Sequence, residues 1–169
     1  AWILHMISKL DVSHGIAGFL LANGALNDPD EYENRKRLIE NDKVEAIIVL
    51  PRDMFYTTDI SVTLWIVNMN KKAGEWHGRQ LRDRSNEVLF VDLRTWNENI
   101  EEIVIDKGKK KKKIVLTDEQ ISAVKTLYSD WQDAETGRYS DVPEYFDAIL
   151  DEHFASKKIE DTGWDGRIL

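Results

Sequence analysis

Few residues in this sequence have the type and spacing to do chemistry. Phe55 and Tyr56 are adjacent aromatics in a polar stretch, Arg52 to Ile60, that separates two apolar runs. Flat rings in a polar loop suit either a plug into the core or a pocket that holds another flat ring. On the residues alone the plug is the simpler reading. Asn23-Gly24 closes an earlier apolar run. Asn23 fits a turn that tolerates a left-handed backbone, or a polar group beyond the carboxyl end of a strand, where open α/β sheets bind ligands. Pro51 ends the next run and shares both readings. Thr57 and Thr58 carry hydroxyls able to order the loop through bonds to backbone groups. Lys107 to Lys113 holds six lysines around Gly108. Phosphates attract such a run, but it lacks interleaved aromatics and sits in an acidic chain, so it reads as a solvated hairpin tip.

Other chemistry is absent from the sequence. There is no cysteine among the 169 residues, hence no disulfide, thiolate zinc site, iron–sulfur cluster or cysteine nucleophile. That composition is compatible with a reducing cytoplasm, where we place the protein. His5, His14, His77 and His153 are scattered singly and read as surface or boundary residues rather than metal ligands. No G-x-G-x-x-G, Walker loop or G-x-S-x-G elbow occurs. No carboxylate pair stands out in an apolar setting that would raise its pKa. The net charge of −8 argues against a free-standing DNA binder, but leaves room for a subunit that meets DNA through a partner or a small pocket. No apolar run approaches the roughly 18 residues of a membrane span, and His5, Ser8 and Lys9 interrupt the first stretch, so no signal peptide is read.

These residues need elements to position them. Trp2, Ile3, Met6, Ile7 and Leu10 form one apolar face at helical spacing. Gly15 to Ala22 is a continuous apolar run and reads as a buried strand. Asp28-Pro29-Asp30-Glu31 is a helix start, with Asp28 as cap and Pro29 in the first position. That helix buries Tyr32, Leu38 and Ile39 and turns Arg35, Lys36 and Arg37 to solvent. Val44–Leu50, Ser61–Met69 and Glu87–Leu93 are further strands. Glu102–Asp106 and Lys113–Leu116 pair as a hairpin about Lys107-Gly108-Lys109. Thr117-Asp118-Glu119-Gln120 is a capping box opening a helix with Ile121, Val124, Leu127, Tyr128 and Trp131 on its apolar face. Pro143 begins a last helix with Tyr145, Phe146, Ile149, Leu150 and Phe154, and the tail from Ser156 is left unassigned. Helix–strand alternation with apolar strands indicates an α/β sheet covered on both faces.

The chain starts at Ala1, inside a helical pattern and without an N-cap. A trimmed tag or processed terminus fits this; a piece of a longer protein fits better.

Three stretches then resemble a known family: Gly18-Phe19-Leu20-Leu21-Ala22-Asn23-Gly24-Ala25-Leu26; Arg37-Leu38-Ile39-Glu40 with Val44 to Pro51; and Met54 to Ile60 running into Leu64-Trp65-Ile66-Val67-Asn68. Together they resemble the modification (methyltransferase) subunit of type I restriction–modification systems, which transfers a methyl group from S-adenosylmethionine to adenine N6 in DNA. The helix from Ala1, Glu87 to Asp92, and Thr117 to Trp131 follow the same pattern. The resemblance covers most of residues 1–145 and rests on order and spacing.

The resemblance implies the C-terminal half of a Rossmann-like methyltransferase sheet over residues 1–100, with a hairpin and helical extension over 101–169. The family's catalytic Asn-Pro-Pro-Phe needs adjacent prolines, and Pro29, Pro51 and Pro143 stand apart. Its glycine-containing cofactor loop also has no counterpart, so the chain alone is expected to be inactive and to hold neither donor nor catalytic Asn. Chemistry on a base within duplex DNA requires flipping it out. By resemblance Phe55, with Tyr56 as alternate, packs on the extruded adenine, and Asn23 and Pro51 line the same cleft. DNA and a specificity subunit are the implied partners. A half-sheet leaves an unpaired edge, so self-association or strand borrowing is expected. The rival reading is a truncated, non-enzymatic module of the same ancestry that binds a restriction–modification partner or itself. A third is an unrelated small α/β binding protein.

Overall fold

The computed structural model describes residues 2–105 and 108–135 and the backbone of Phe154–Lys158. Helix α1 (Trp2–Ile7) leads to strand β1 (Ile16–Ala22), a short 3₁₀ turn (Asn23–Leu26) and helix α2 (Tyr32–Glu40). Strands β2 (Val44–Val49) and β3 (Val62–Asn68) follow, then a small hairpin of β4 (Gly74–Trp76) and β5 (Arg79–Leu81). Strand β6 (Glu87–Asp92), the hairpin β7 (Ile100–Val104) and β8 (Lys110–Ile114), helix α3 (Asp118–Gln132) and strand β9 (Phe154–Lys158) complete the order.

The main sheet runs β1-β3-β2-β6-β9. Strand β3 is antiparallel to both β1 and β2, β2 is parallel to β6, and β9 is antiparallel to β6. The carboxyl ends of β1, β2 and β6 therefore share one edge. On one face, α2 packs Leu38 and Ile39 against Val44, Ile47, Trp65 and Val88, with Ile3 and Ile7 of α1 at the margin. On the other, Ala123, Leu127 and Trp131 of α3, four residues apart, cover Ala46, Ile48, Leu89 and Val91. Thr117 caps α3 through its side chain while Gln120 reaches back to the Thr117 N–H, so the capping box forms as read.

Several expectations change. Strand β1 is an edge rather than a buried strand. Its residues alternate, with Phe19 and Leu21 facing the helices while Ile16 and Leu20 stay 47% exposed. The apolar run lacks a partner layer on that face. Trp2 is 82% exposed, so only Ile3, Met6, Ile7 and Leu10 of the first face turn inward. Asp28 caps a 3₁₀ turn, Pro29–Glu31, and α2 proper starts at Tyr32. Arg35 is buried, not solvated, and donates to the Ala25 carbonyl at 3.1 Å. Lys110 to Lys113 form strand β8 rather than the tip of the hairpin, and Lys109 stays in the turn. Phe154 lies in β9, not a helix. The rest of the helix expected from Pro143 falls outside the described residues.

Strand β2 contains a bulge: Val44 pairs with Val67, but Ala46 pairs with the adjacent Ile66. The extra residue breaks the two-residue alternation and turns Glu45 toward α3, beside Ala46. There Glu45 accepts hydrogen bonds from Arg84 Nε (2.9 Å), Asn68 Nδ2 (2.8 Å), Tyr128 Oη (2.8 Å) and Gln132 Nε2 (3.3 Å). Glu87 beside it is bound by Arg82 (2.7 and 3.1 Å) and by Trp131 Nε1 (2.9 Å). Lys71, also buried, donates to the carbonyls of Val44 and Glu87 and pairs with Asp42. Burial lowers its pKa, although Asp42 pulls the other way. These bonds tie the amino end of the β2–β6 pair to α3.

Candidate functional site

The opposite edge gathers the residues singled out in the sequence. The Asn23 N–H donates to the Ser61 carbonyl (3.1 Å), and the Ser61 hydroxyl donates to the Leu50 carbonyl (2.6 Å), immediately before Pro51. Asn23 and Pro51 thus stand at the carboxyl ends of parallel-running β1 and β2, joined across the start of β3. The Leu93 N–H, just past β6, bonds the Val49 carbonyl (2.8 Å). Pro51 is buried, and Asn23 Oδ1 is buried with no hydrogen-bond partner among the described residues. An acceptor in that state favours an incoming donor.

The segment between β2 and β3 leaves this edge and carries both aromatics. Phe55 is half-buried and Tyr56 is 66% exposed. Asp53 takes a left-handed backbone (φ 60°) that sets the bend. The Thr58 hydroxyl accepts from the Ile60 N–H at 3.3 Å, the kind of local bond expected of this loop.

Strand β8 braces the loop, a contact the sequence reading did not find. The Ile114 N–H bonds the Asp53 carbonyl at 3.0 Å. Lys111 donates to the Tyr56 carbonyl (3.4 Å) and pairs with Asp59. Lys113 Nζ lies 4.2 Å from the centroid of the Tyr56 ring, a cation–π contact. The available signal was the two-residue alternation of a strand, which sends Lys111 and Lys113 to one side. Their target lies more than fifty residues earlier in the chain, and that part was invisible. A groove of about 420 Å³, lined by Gly18, Leu64, Ile66, Trp76 and Tyr128, opens beside α3 on the exposed face of β1 and β3, away from this edge.

Chemically, the edge offers a flat ring with an open face, a polar amide and a nearby row of cations. It presents no cluster of nucleophile and base among the described residues. The mixed sheet with helices on both faces is the fold of type I methyltransferase subunits. That of the Streptococcus thermophilus type I restriction–modification system superposes with a TM-score of 0.65 at 22% identity, over 95% of this chain and 26% of that one. The N-6 DNA Methylase family model matches residues 1–157, and the chain belongs to that family. It is 40% identical over 96 residues to the HindI methylase subunit of Haemophilus influenzae, covering 56% of this chain and 19% of that protein. It is 44% identical over 71 residues to the MjaIX methylase subunit of Methanocaldococcus jannaschii, covering 41% and 12%. The chain thus spans about a fifth or less of the length of these two relatives.

Proposed function

We propose that this chain supplies the base-holding side of a type I DNA adenine-N6 methyltransferase subunit. The observation that supports the reading is that Asn23 and Pro51 stand at the carboxyl edge of the sheet in a chain of the N-6 DNA methylase family, with the Phe55-Tyr56 loop setting out from that edge. An adenine extruded from the duplex stacks on the half-buried Phe55 or the exposed Tyr56. Asn23 Oδ1, which lacks a donor among the described residues, accepts from a polar edge of the base.

The methyl donor of this family is S-adenosylmethionine, and the described residues do not fit it. Strand β1 runs straight into a 3₁₀ turn. Gly24, the glycine nearest the edge, has open space where a side chain would sit, so no close backbone cradle needs it. We propose that the chain alone transfers no methyl group. In the complete assembly its partners are DNA and a specificity subunit, in the cytoplasm. No described helix is long and apolar enough to cross a membrane.

The test is binding of adenine-containing single-stranded DNA carrying one 2-aminopurine. Aromatic stacking is worth about 1–3 kcal/mol per base. Phe55→Ala or Tyr56→Ala should therefore weaken binding about 5- to 100-fold and abolish 2-aminopurine quenching. Unchanged affinity and quenching in both variants refute the reading.

A second reading has its own support: β1 pairs only with β3 among the described residues, and Ile16 and Leu20 are exposed beside its free edge. Such an edge recruits another strand, as in a non-enzymatic module that binds itself or a restriction–modification partner. Light scattering tests self-association, and a monomer across the accessible concentration range removes the self-binding form.

A further inference from the structure

We propose that the exposed lysines of the β7–β8 hairpin, Lys109 in its turn and Lys110 and Lys112 on the outward side of β8, form a docking surface for the phosphate backbone of DNA near the aromatic loop. This deepens the base-holding reading and rests on it for the location of the base.

Strand β8 divides its lysines by alternation. Lys111 and Lys113 are half-buried and spent on the Tyr56 loop. Lys110 and Lys112 point to the other side and are exposed, as is Lys109 in the turn before the strand. The aromatic that the lysine run lacks in sequence meets its inward side, where Lys113 lies over Tyr56. Glu102, opposite Lys112, is the one carboxylate on the outward side of β7, and it pairs with Lys110 at 3.0 Å. Lys109 and Lys112 form no ion pair with any described residue. Three cations against one carboxylate repel one another, and lysine is a poor strand former. Both costs fall on a chain whose net charge is −8, and an arriving polyanion would remove the repulsion.

Spacing favours a nucleic-acid backbone over a compact anion. Residues two apart on a strand lie about 6.7 Å from each other. A row of charges at a regular interval suits the repeated phosphates of one DNA strand rather than a single compact anion. The hairpin is joined to the loop by the Ile114–Asp53 backbone bond and the Lys111–Asp59 pair, which place β8 next to the loop.

The experiment titrates the 169-residue chain into a fluorescein-labelled duplex at several salt concentrations, reading anisotropy. Each neutralised phosphate contributes about 0.9 to the slope of log K against log salt. The triple variant Lys109→Gln/Lys110→Gln/Lys112→Gln should flatten that slope by about 2 to 3, with its thermal melt unchanged. The corresponding triple arginine variant should restore it. An unchanged slope in the glutamine variant overturns the proposal, as does wild-type protein that fails to bind at the lowest salt. Failure here is distinct from failure of the base-holding reading. If Tyr56→Ala weakens binding while the lysine variant does not, the docking surface is wrong and the base site stands. If the lysine variant flattens the slope while Phe55→Ala and Tyr56→Ala change nothing, the docking surface stands and the base site falls.

Discussion

Glu45→Gln is the most severe test of how this sheet is held together. The carboxylate is wholly buried and fully used: Oε1 accepts from Arg84 and Gln132, and Oε2 from Asn68 and Tyr128. Glutamine has the same shape, but either orientation places an NH₂ against two donors. It also removes the counter-charge of Arg84, which is itself 0% exposed. Leaving a buried polar group unsatisfied costs about 1–3 kcal/mol, and breaking a buried ion pair costs about 3–5 kcal/mol. The two overlap, so the expected loss is about 3–5 kcal/mol in urea unfolding of the whole chain. At about 2–4 °C per kcal/mol for a chain of this size, the melting temperature should fall by about 6–20 °C. Arg84→Met should also destabilise, because it strands the carboxylate. The double variant should be less damaging than the sum, with a coupling of about 2–3 kcal/mol. A single-variant cost below about 1 kcal/mol, the range of an exposed pair, would refute the argument. So would additivity within about 0.5 kcal/mol.

Other outcomes follow from single contacts. Thr117→Ala removes the cap of α3 and should cost about 1 kcal/mol in the same unfolding assay, with loss of helix signal. Gly15→Ala places a Cβ 2.5 Å from the Asp11 carbonyl oxygen and 2.7 Å from Leu10 Cβ. Because backbone must move, it should destabilise by about 1–3 kcal/mol. Burial, and then the facing Glu45 carboxylate, hold the Tyr128 hydroxyl protonated well above the ordinary tyrosine range. The unfolded chain releases that proton near pH 10 and the folded chain does not. This contribution is therefore complete below about pH 10 and declines as pH rises further. Unfolding measured from pH 9 to 11 should show a steeper alkaline loss in wild type than in Tyr128→Phe, and equal slopes would contradict the assignment.

Much of the architecture was legible because apolar runs and caps are local signals. β2, β3, β6 and α3 lie where periodicity and the Thr117 capping box put them. The partner of each strand was not legible. Gly15 to Ala22 has the composition of a central strand and lies at an edge, since nothing within the run says whether a layer covers it. Arg35 looked solvated among Lys36 and Arg37 because only the fold brings the Ala25 carbonyl to it. Glu45 passed unremarked inside an apolar strand, because its role depends on a bulge that aims it at α3. At the candidate site, Asn23 and Pro51 could be read as strand ends, and the β1–β3–β2 order puts those ends on one edge. The lysine brace on Tyr56 depended on β7–β8 folding back across the loop.

The two edges of the sheet are built to different standards, and that difference bears on function. At the amino end of β2 and β6, Glu45, Arg84, Lys71 and Glu87 are all at most 3% exposed, and each charge meets an opposite one: Glu45 with Arg84, Glu87 with Arg82, Lys71 with Asp42. Separating them would strand charge in a low-dielectric interior, so this end opens only with global unfolding. At the carboxyl end the described residues hold the aromatic loop by the Ile114–Asp53 backbone bond, Lys111 on the Tyr56 carbonyl and on Asp59, Arg52 on the Asp59 carbonyl, and Lys113 over an exposed ring. Contacts of that kind are worth about 0–1 kcal/mol each and weaken with salt. The loop can therefore detach from β8 without disturbing the core. A residue that must swing against an extruded base is best carried by such a segment, and the rigid amino end keeps Asn23 and Pro51 in place while it moves. Hydrogen exchange should then be fast for Met54 to Asp59 and near the global limit for Val44 to Val49. Equal protection in the two segments would mean that the loop is part of the rigid frame.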